Sequence, residues 1–331
     1  MLQDEGVPFV VFQQDEEAGL THEELLAGVQ ANDVLLSLLT EKVDREVLSA
    51  NPSLRGVANM AVGYNNIDLD AATELGIPVT NTPGVLTETT ADLTFAMLLA
   101  LARRIPEAHA YMAAGRYKIW GPNLLLGTDV GTGVSGRRKL LGIVGYGRIG
   151  RAVARRAMGF DMDILVCGPS AAAAAADEEG VEYAELDELL ERSDFVTLHP
   201  PLKAETRHLI GTEELQRMKP TAFLINAARG PIVDEAALVT ALRAGEIAGA
   251  ALDVYEHEPA MAEGLAELPN VVLLPHIASA SQDTRNEMAR LAAVNALSHW
   301  RGEQAPNVVN PEVYDTDVWR ERLVAQDGQR P

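Results

Sequence analysis

The chain has 331 residues, of which 47% are hydrophobic, so it is long enough and apolar enough for about two packed domains. Its 48 acidic residues against 27 Lys and Arg give a net charge of −21, which would repel a nucleic-acid backbone. A single cysteine excludes an internal disulfide framework, and no Cys/His cluster has metal-ligand spacing. The uncharged apolar stretch Leu93–Ala102 is far shorter than a membrane span of roughly 20 residues, and the acidic N-terminus is unlike a signal peptide. We therefore expect a cytoplasmic protein with no metal, membrane or nucleic-acid partner.

Short apolar runs alternate with helical segments along the chain. Thr21 with Glu24 forms a capping-box pattern, and Asp68, Thr212 and Asp234 are expected N-caps of further helices. Continuous apolar runs are typical of parallel strands covered on both faces, so the alternation predicts an α/β fold. The predicted strands are Val7–Phe12, Val34–Leu39, Val57–Met60, Val79–Asn81, Leu140–Val144, Ile164–Cys167, Phe195–Leu198, Ala222–Asn226, Gly249–Leu252 and Val271–Leu274.

Two long helical segments divide this series of strands. Ala91–Ala113 is apolar on nearly every side through Leu101, which predicts one long buried helix, covered in part by a second subunit. Another long helix follows His276. The strands between these helices form a self-contained run. We therefore expect a discontinuous domain made of both chain ends, residues 1–93 and 281–331, with a central domain, residues 94–280, inserted in it.

Three glycines, Gly145, Gly147 and Gly150, lie directly after a predicted strand and at the start of a helix. This spacing permits a tight turn and the approach of a pyrophosphate to the helix N-terminus, so it indicates a dinucleotide site for NAD(H) or NADP(H). An ordinary glycine-rich turn is the less favoured alternative. About twenty residues further on, an acid would bind the ribose of NAD and a base would bind the phosphate of NADP. The chain has Gly168–Ser170 there, so neither signal is present and the choice between the two cofactors stays open.

Three residues with polar chemistry follow other predicted strands of the central domain: Arg229, Glu258 and His276. Hydride transfer to a keto acid requires a cation for the carboxylate and carbonyl, a general acid, and a group that keeps this acid protonated. Arg229 offers a fork of donors, His276 is the natural acid, and Glu258 would favour the charged imidazole. Each residue alone is more often structural. In this order, behind a dinucleotide pattern, they predict a catalytic site.

Taken together, these motifs resemble the D-isomer-specific 2-hydroxyacid dehydrogenases, and most closely the glyoxylate/hydroxypyruvate reductases. The resemblance extends from about Asp33 to Asn310. It rests on the segments NMAVGYNNID, VTNTPGVLTETTADLTFAMLLALARR, GIVGYGRIG, LHPPL, LINAARGPIVDEAAL, GAALDVYEHEP and LLPHIASAS. It implies two doubly wound parallel-sheet domains, a Rossmann NAD(P)-binding domain inserted in a flavodoxin-like substrate domain. It also implies catalytic roles for Arg229, Glu258 and His276. The apolar segment Ala91–Ala113 predicts a homodimer formed through the central domain.

The resemblance implies further binding residues. Main-chain N–H groups of Val62 and Gly63 resemble the family's clamp for the substrate carboxylate. Trp120 matches a tryptophan that reaches the partner subunit's site in related reductases, and an interface anchor is an equal alternative for it. Asp253 matches a residue that contacts the nicotinamide carboxamide, although an aspartate at a strand end could equally cap the next turn. The residues expected to contact the cofactor are Thr90, Gly145, Gly147, Arg148, Ile149, Gly150, Gly168, Ser170, His199, Pro200, Ala227, Asp253, His276 and Ser279.

The sequence departs from the family pattern in three places. Family members usually open with a strand and a helix that precede Met1, so we expect the substrate domain to lack its first strand and helix. The loop before Leu140 carries the additional residues GTGVSGRR, and the cofactor-selecting loop is uncharged.

The resemblance and the residues together predict NAD(P)H-dependent reduction of small 2-keto acids, glyoxylate and hydroxypyruvate, to 2-hydroxy acids. D-lactate and phosphoglycerate dehydrogenases are the alternatives within the family. A nucleotide-sensing scaffold, like the corepressors that share this fold, is the alternative from another class. The sequence lacks a basic or disordered arm for chromatin partners, which favours the enzyme.

Overall fold

The computed structural model describes residues 1–12 and 19–327, which form two compact units. Met1–Leu86 and Ser281–Pro331 make up the terminal unit, and Thr87–Ala280 make up the central unit. The predicted boundary after residue 93 falls inside helix α4 (Thr87–Ala102), and all of this helix belongs to the central unit. Within the described ranges, no helix is both long enough and apolar enough to cross a membrane.

The terminal unit contains a three-stranded parallel sheet in the order β1-β2-β3. Its strands are β1 (Val34–Ser37), β2 (Gly56–Asn59) and β3 (Val79–Thr80), and its helices are α1 (His22–Gln30), α2 (Arg45–Ser49), α3 (Leu69–Glu74), α11 (Gln282–Arg301) and α12 (Asp317–Asp327). Helix α11 packs on β1 and β2, so residues from both ends of the chain share one core. Every residue of β2 is buried, as expected for a strand covered on both faces.

Residues 7–12 do not form the predicted strand. A strand is held by backbone hydrogen bonds to a neighbour, and in the described structure β1 is the edge of the sheet. Phe9, Val10 and Val11 accordingly remain 49%, 66% and 58% exposed. A groove of about 530 Å³, lined mainly by apolar side chains, lies between this segment and β1.

The central unit contains a seven-stranded, fully parallel sheet in the order β10-β9-β8-β7-β4-β5-β6. The strands are β4 (Leu140–Val144), β5 (Asp163–Cys167), β6 (Val181–Tyr183), β7 (Phe195–Leu198), β8 (Phe223–Asn226), β9 (Gly249–Leu252) and β10 (Val271–Leu273). The sequence order reverses between β4 and β7, which is the switch point where doubly wound sheets bind ligands. The predicted class, two parallel-sheet α/β domains, is confirmed. Strand β6 was not predicted, because its three residues include a polar one and form no apolar run.

Helices pack on both faces of this sheet. They are α4, already defined, α6 (Arg148–Met158), α7 (Ala171–Asp177), α8 (Leu186–Arg192), α9 (Thr212–Arg217) and α10 (Glu235–Ala244), whereas α5 (Ile105–Ala113) contacts α4. One core cluster, which includes Phe95 and Leu98 of α4, covers one face, and a second cluster around Leu189 and Leu215 covers the other. The sheet is therefore buried on both sides, as its continuous apolar strands indicate.

The predicted single helix over Ala91–Ala113 is wrong, because the segment forms two helices, α4 and α5. Arg104, between them, has a left-handed φ of 53°, and Pro106 lies at the start of α5. A proline lacks the N–H of a continuing helix and clashes with the preceding turn, so it ends α4. The two helices also differ in burial. Helix α4 buries Phe95, Met97, Leu98 and Leu101, whereas α5 has no buried residue.

Three of the four predicted helix caps are confirmed. Thr21 and Glu24 form the reciprocal capping box, and the carboxylates of Asp68 and Asp234 accept the N–H groups of Ala71 and Ala237 at 2.9 Å. Thr212 is not an N-cap. It is the first residue of α9, and the preceding glycine, in extended conformation, occupies the cap position.

Candidate active site

The three glycines of the predicted dinucleotide motif lie between β4 and α6, beside the switch point. Gly145 has φ of +91°, and a Cβ there would lie 2.6 Å from the backbone nitrogen of Pro200. A Cβ on Gly150 would collide with the carbonyl oxygen of Gly145, whereas a Cβ on Gly147 would meet no atom within 4 Å. Two glycines thus permit close packing, and the third leaves open space beside the first N–H groups of α6. This arrangement fits a pyrophosphate on the helix N-terminus.

His199 follows β7 on the other side of the switch point. Its backbone N–H donates to Val144 at 2.7 Å, which fixes it beside the glycine turn. Neither ring nitrogen has a hydrogen-bond partner among the described residues, and both are buried. Burial lowers the pKa of His199 to about 4, so the imidazole is neutral at physiological pH. A buried polar group without a partner costs about 1–3 kcal/mol, which points to a bound ligand as its partner.

The other predicted cofactor residues cluster along one edge of the central sheet. Carboxyl ends of parallel strands meet at the same edge, and all but one of these residues follow such an end. Arg148 and Ile149 follow β4, Gly168 and Ser170 follow β5, Pro200 follows β7, Ala227 follows β8, Asp253 follows β9, and His276 and Ser279 follow β10. Thr90 differs, because it is a buried residue of α4.

Arg229 lies in the turn after β8, and this turn is held by Asn226. The Asn226 side chain accepts the Ala228 N–H at 3.0 Å and donates to the Arg229 carbonyl at 2.9 Å. A Cβ on the next residue, Gly230, would collide with the backbone of Tyr255, so only glycine permits this close approach. Burial lowers the pKa of the Arg229 guanidinium, and the charge of Glu258 opposes that effect.

Glu258 and His276 form a hydrogen-bonded pair. His276 Nδ1 lies 2.8 Å from Glu258 Oε2, and the Tyr255 N–H donates to Glu258 Oε1 at 3.0 Å. Because an ionised carboxylate only accepts, Nδ1 carries the proton, and Nε2 is left for a substrate. Burial acts to raise the pKa of Glu258, but the hydrogen bond and charge of His276 outweigh it, and the pKa is lowered. Glu258 therefore stays ionised near neutral pH.

Asp253 holds the turn that carries His276. It is fully buried, and its two carboxylate oxygens accept the N–H groups of Ile277 at 2.7 Å and Ala278 at 2.8 Å. His276 itself has a left-handed φ of 54°, an unusual conformation that the turn maintains. The cap, which was one of the two predicted roles of Asp253, is thus present. Burial raises the pKa of Asp253, although both N–H donors oppose this shift.

Two residues of this region carried no signal in the sequence. The carboxylate of Glu235, the first residue of α10, accepts the N–H groups of Glu256 and of Ala262, the latter at 2.8 Å. The Tyr255 hydroxyl donates to the Leu274 carbonyl at 2.9 Å. An acid in the first turn of a helix is ordinary, because it complements the helix dipole, so the sequence gives Glu235 no special role.

The remaining predicted substrate-binding residues, Val62, Gly63 and Trp120, lie on other segments of the chain. Val62 and Gly63 belong to the terminal unit, in the loop after β2, where their carbonyl oxygens accept from Asn81 at 2.8 Å and Asn59 at 2.9 Å. These contacts orient the loop, and its role as a carboxylate clamp stays a prediction. Trp120 lies in the central unit between α5 and β4 and is 72% exposed.

Comparison with known proteins assigns the chain to a family. Residues 95–278 match the model of the D-isomer specific 2-hydroxyacid dehydrogenase, NAD binding domain. The chain is 53% identical over 300 residues to a glyoxylate reductase of Korarchaeum cryptofilum, covering 90% of this chain and 89% of that relative. A solved structure from Thermus thermophilus superposes with a TM-score of 0.83 at 42% identity, covering 93% and 94% of the two chains.

A second solved structure is informative because it contains a nucleotide. It is an NADPH-dependent glyoxylate/hydroxypyruvate reductase of Sinorhizobium meliloti in complex with NADP and malonate, with a TM-score of 0.75 and 35% identity over 89% of this chain and 88% of that one. The chain therefore belongs to the D-isomer-specific 2-hydroxyacid dehydrogenases, a family of oxidoreductases, and its central unit contains the NAD-binding domain of that family.

Proposed function

We propose that this enzyme reduces small 2-keto acids, preferably glyoxylate and hydroxypyruvate, with NADH or NADPH. The observation that carries the proposal is the 2.8 Å His276–Glu258 pair near the half-buried Arg229, at the sheet edge that also carries the dinucleotide motif. The relatives named glyoxylate reductase support the choice of substrate.

Three side chains bind the substrate, donate the proton and stabilise the proton donor in this proposal. A bound NADH or NADPH would supply the hydride for the carbonyl carbon. Arg229 binds the substrate carboxylate and polarises the carbonyl, since its guanidinium donates in a planar fork. His276 gives the proton on Nε2 to the oxygen that becomes the hydroxyl. Glu258 holds the Nδ1–H and stabilises the imidazolium before the transfer, and the N–H groups of Val62 and Gly63 stay the predicted clamp for the carboxylate.

The same proposal assigns the cofactor to the edge residues already described. The N–H groups at Gly147, Arg148 and Ile149 would hold the pyrophosphate. The neutral imidazole of His199 would use its buried nitrogens toward the nucleotide, because it has no other described partner. The remaining lining is formed by Thr90, Gly145, Gly150, Gly168, Ser170, Pro200, Ala227, Asp253 and Ser279.

A steady-state assay tests the proposed function. Oxidation of NADH and of NADPH is followed by nicotinamide absorbance with glyoxylate, hydroxypyruvate and pyruvate. We expect turnover with each reduced cofactor, and a higher kcat/KM for glyoxylate and hydroxypyruvate than for pyruvate. Preference for pyruvate would favour the D-lactate alternative. Tight cofactor binding with no turnover of any keto acid would favour the scaffold alternative. The cytoplasmic location stays a prediction.

Cofactor selectivity is expected to be weak. No acid or base occupies Gly168–Ser170, so we predict kcat/KM values for NADH and NADPH within about tenfold, equivalent to about 1.4 kcal/mol, with a slight preference for NADPH. Gly168 has φ of +132°, which strains any side chain, so a charge is better introduced at the exposed Ser170. Ser170→Asp should shift selectivity toward NADH by repelling the 2′-phosphate, and the neutral Ser170→Asn should not. A wild-type preference above about a hundredfold would contradict the prediction.

We also propose a homodimer formed through the central unit. The segment that follows α4 exposes large apolar side chains, which in a folded protein usually mark an interface. They are Ile105 (52%), Met112 (57%), Ile119 (81%), Trp120 (72%) and Leu126 (61%). Light scattering should give the mass of a dimer at micromolar concentration, and Ile119→Asp should lower it. A stable and fully active wild-type monomer would contradict the proposal.

Trp120→Ala separates the two predicted roles of Trp120. Loss of an interface anchor should lower the mass measured by light scattering, and loss of a residue that reaches the partner's site should lower kcat/KM.

A further inference from the structure

Glu235 has a geometry that ordinary helix-dipole compensation does not require. It is the first residue of α10 and only 4% exposed, with no Lys, Arg or His of the described chain in ion-pair contact. Burying a carboxylate is costly unless hydrogen bonds satisfy it. The two donors are backbone N–H groups of one loop, at Glu256 and at Ala262. The helix N-terminus stabilises the charge further.

The loop held by Glu235 carries Glu258. The first and last residues of the segment 256–262 both donate their N–H groups to the Glu235 carboxylate. Inside the loop, the Ala260 N–H donates to the His257 carbonyl at 2.9 Å. Glu258 lies between the two anchored ends, and its own carboxylate contacts Tyr255 and His276. The position of Glu258 relative to His276 therefore depends on where the loop is anchored.

We infer that Glu235 is a positioning residue, which sets the Glu258–His276 geometry through the backbone of residues 256–262. The inference rests on the proposed function, in which this pair supplies the proton. The two N–H groups need an acceptor in a fixed position, which explains a buried carboxylate at this place. An apolar side chain could pack here but could not accept their hydrogen bonds. Loss of the Glu235 carboxylate allows Glu258 to move away from Nδ1 of His276. The histidine then loses the partner that holds its Nδ1–H, while no group that touches the substrate is changed.

The first experiment measures the loop itself and does not depend on activity. Hydrogen exchange of residues 256–262, read by mass spectrometry, should become faster in Glu235→Ala because two anchoring hydrogen bonds are lost. Asp234→Ala is the matched control. It removes the neighbouring cap of the same helix, whose carboxylate accepts from Ala237, and leaves the loop contacts in place. Unchanged exchange in Glu235→Ala, or equal acceleration in Asp234→Ala, would overturn the inference.

The second experiment is a double-mutant cycle with Glu258→Gln. Glu235→Ala should lower kcat/KM by about 10–100-fold, the loss that is typical when a residue orienting a metal ligand is removed. It should also move the high-pH limb of the reduction profile toward lower pH, with NADPH affinity by fluorescence unchanged. Glu235→Gln keeps one acceptor and should be intermediate.

The cycle separates positioning from general destabilisation. In the Glu258→Gln background, Glu235→Ala should cost little more, since the group that it positions has lost its charge. Additive losses, or an unmoved pH profile, would overturn the inference while the wild type is active. Failure of the proposed function would appear separately, as a wild type that reduces no 2-keto acid. The exchange experiment would then still decide whether Glu235 holds the loop.

Discussion

Arg229→Ala is expected to lower kcat/KM for glyoxylate by about 10²–10⁴, the largest loss from any single substitution in this chain. In the proposed mechanism one guanidinium serves both the carboxylate and the carbonyl, so its removal should weaken substrate binding and transition-state stabilisation together. The turn that carries it is held independently by Asn226, so the backbone should remain in place. Steady-state kinetics with glyoxylate measures the loss.

The stability of the same variant distinguishes a catalytic role from a structural one. Burial disfavours the charged guanidinium of Arg229, as its lowered pKa indicates, and Asn226 holds the turn independently, so we expect Arg229→Ala to keep a Tm close to that of the wild type. Arg229→Lys keeps the charge but loses the planar fork, and its kcat/KM should fall between wild type and Arg229→Ala. A fully active Arg229→Ala, or a variant whose activity loss follows unfolding, would contradict the assigned role.

Glu258→Gln is expected to move the pH profile of reduction to lower pH. In the proposed mechanism reduction consumes the proton on His276, and the Glu258 carboxylate stabilises the imidazolium by its charge and hydrogen bond. The amide retains an oxygen for the Tyr255 N–H but has no charge to stabilise the imidazolium, the interaction that lowers the pKa of Glu258 in the wild type. The rate should therefore fall at a lower pH than in the wild type, while activity at acid pH is better preserved.

A second acid in the same loop provides the control for this measurement. Glu256 lies two residues away, and its carboxylate contacts His208 at 2.6 Å and not His276. Glu256→Gln removes one negative charge from the same loop and should leave the profile of kcat/KM against pH in place. An unchanged profile in Glu258→Gln, or equal displacement by both variants, would refute the role assigned to Glu258.

Local chemistry explains which features were predictable from the sequence. The backbone of a single turn requires glycine at Gly145 and Gly150, and Gly147 leaves open space beside it, so the spacing of the three glycines alone indicates that turn. Arg229, Glu258 and His276 each follow a strand of one parallel sheet, and this connectivity places them at the same edge. Their roles in catalysis stay predictions.

The sequence did not predict three other features, two of which depend on contacts between distant segments. The segment Val7–Phe12 is apolar enough for a strand, but strand formation depends on a paired neighbour. The division of Ala91–Ala113 followed from Pro106, a local signal that the apolar pattern outweighed in the prediction. Glu235 acquires its role only when α10 and the loop after β9 meet, and no spacing in the sequence records this contact.

The discontinuity of the terminal unit has a consequence for synthesis on the ribosome. Strands β1 to β3 emerge first, but α11, which packs on β1 and β2, emerges only after the whole central unit. Gly56 of β2 shows how close this packing is, because a Cβ there would lie 2.6 Å from the Nδ1 atom of His299. The central unit is contiguous and can fold as soon as it leaves the tunnel. Until α11 has emerged, the apolar faces of the nascent terminal strands remain uncovered. Chains in such a state are prone to aggregate and are bound by chaperones.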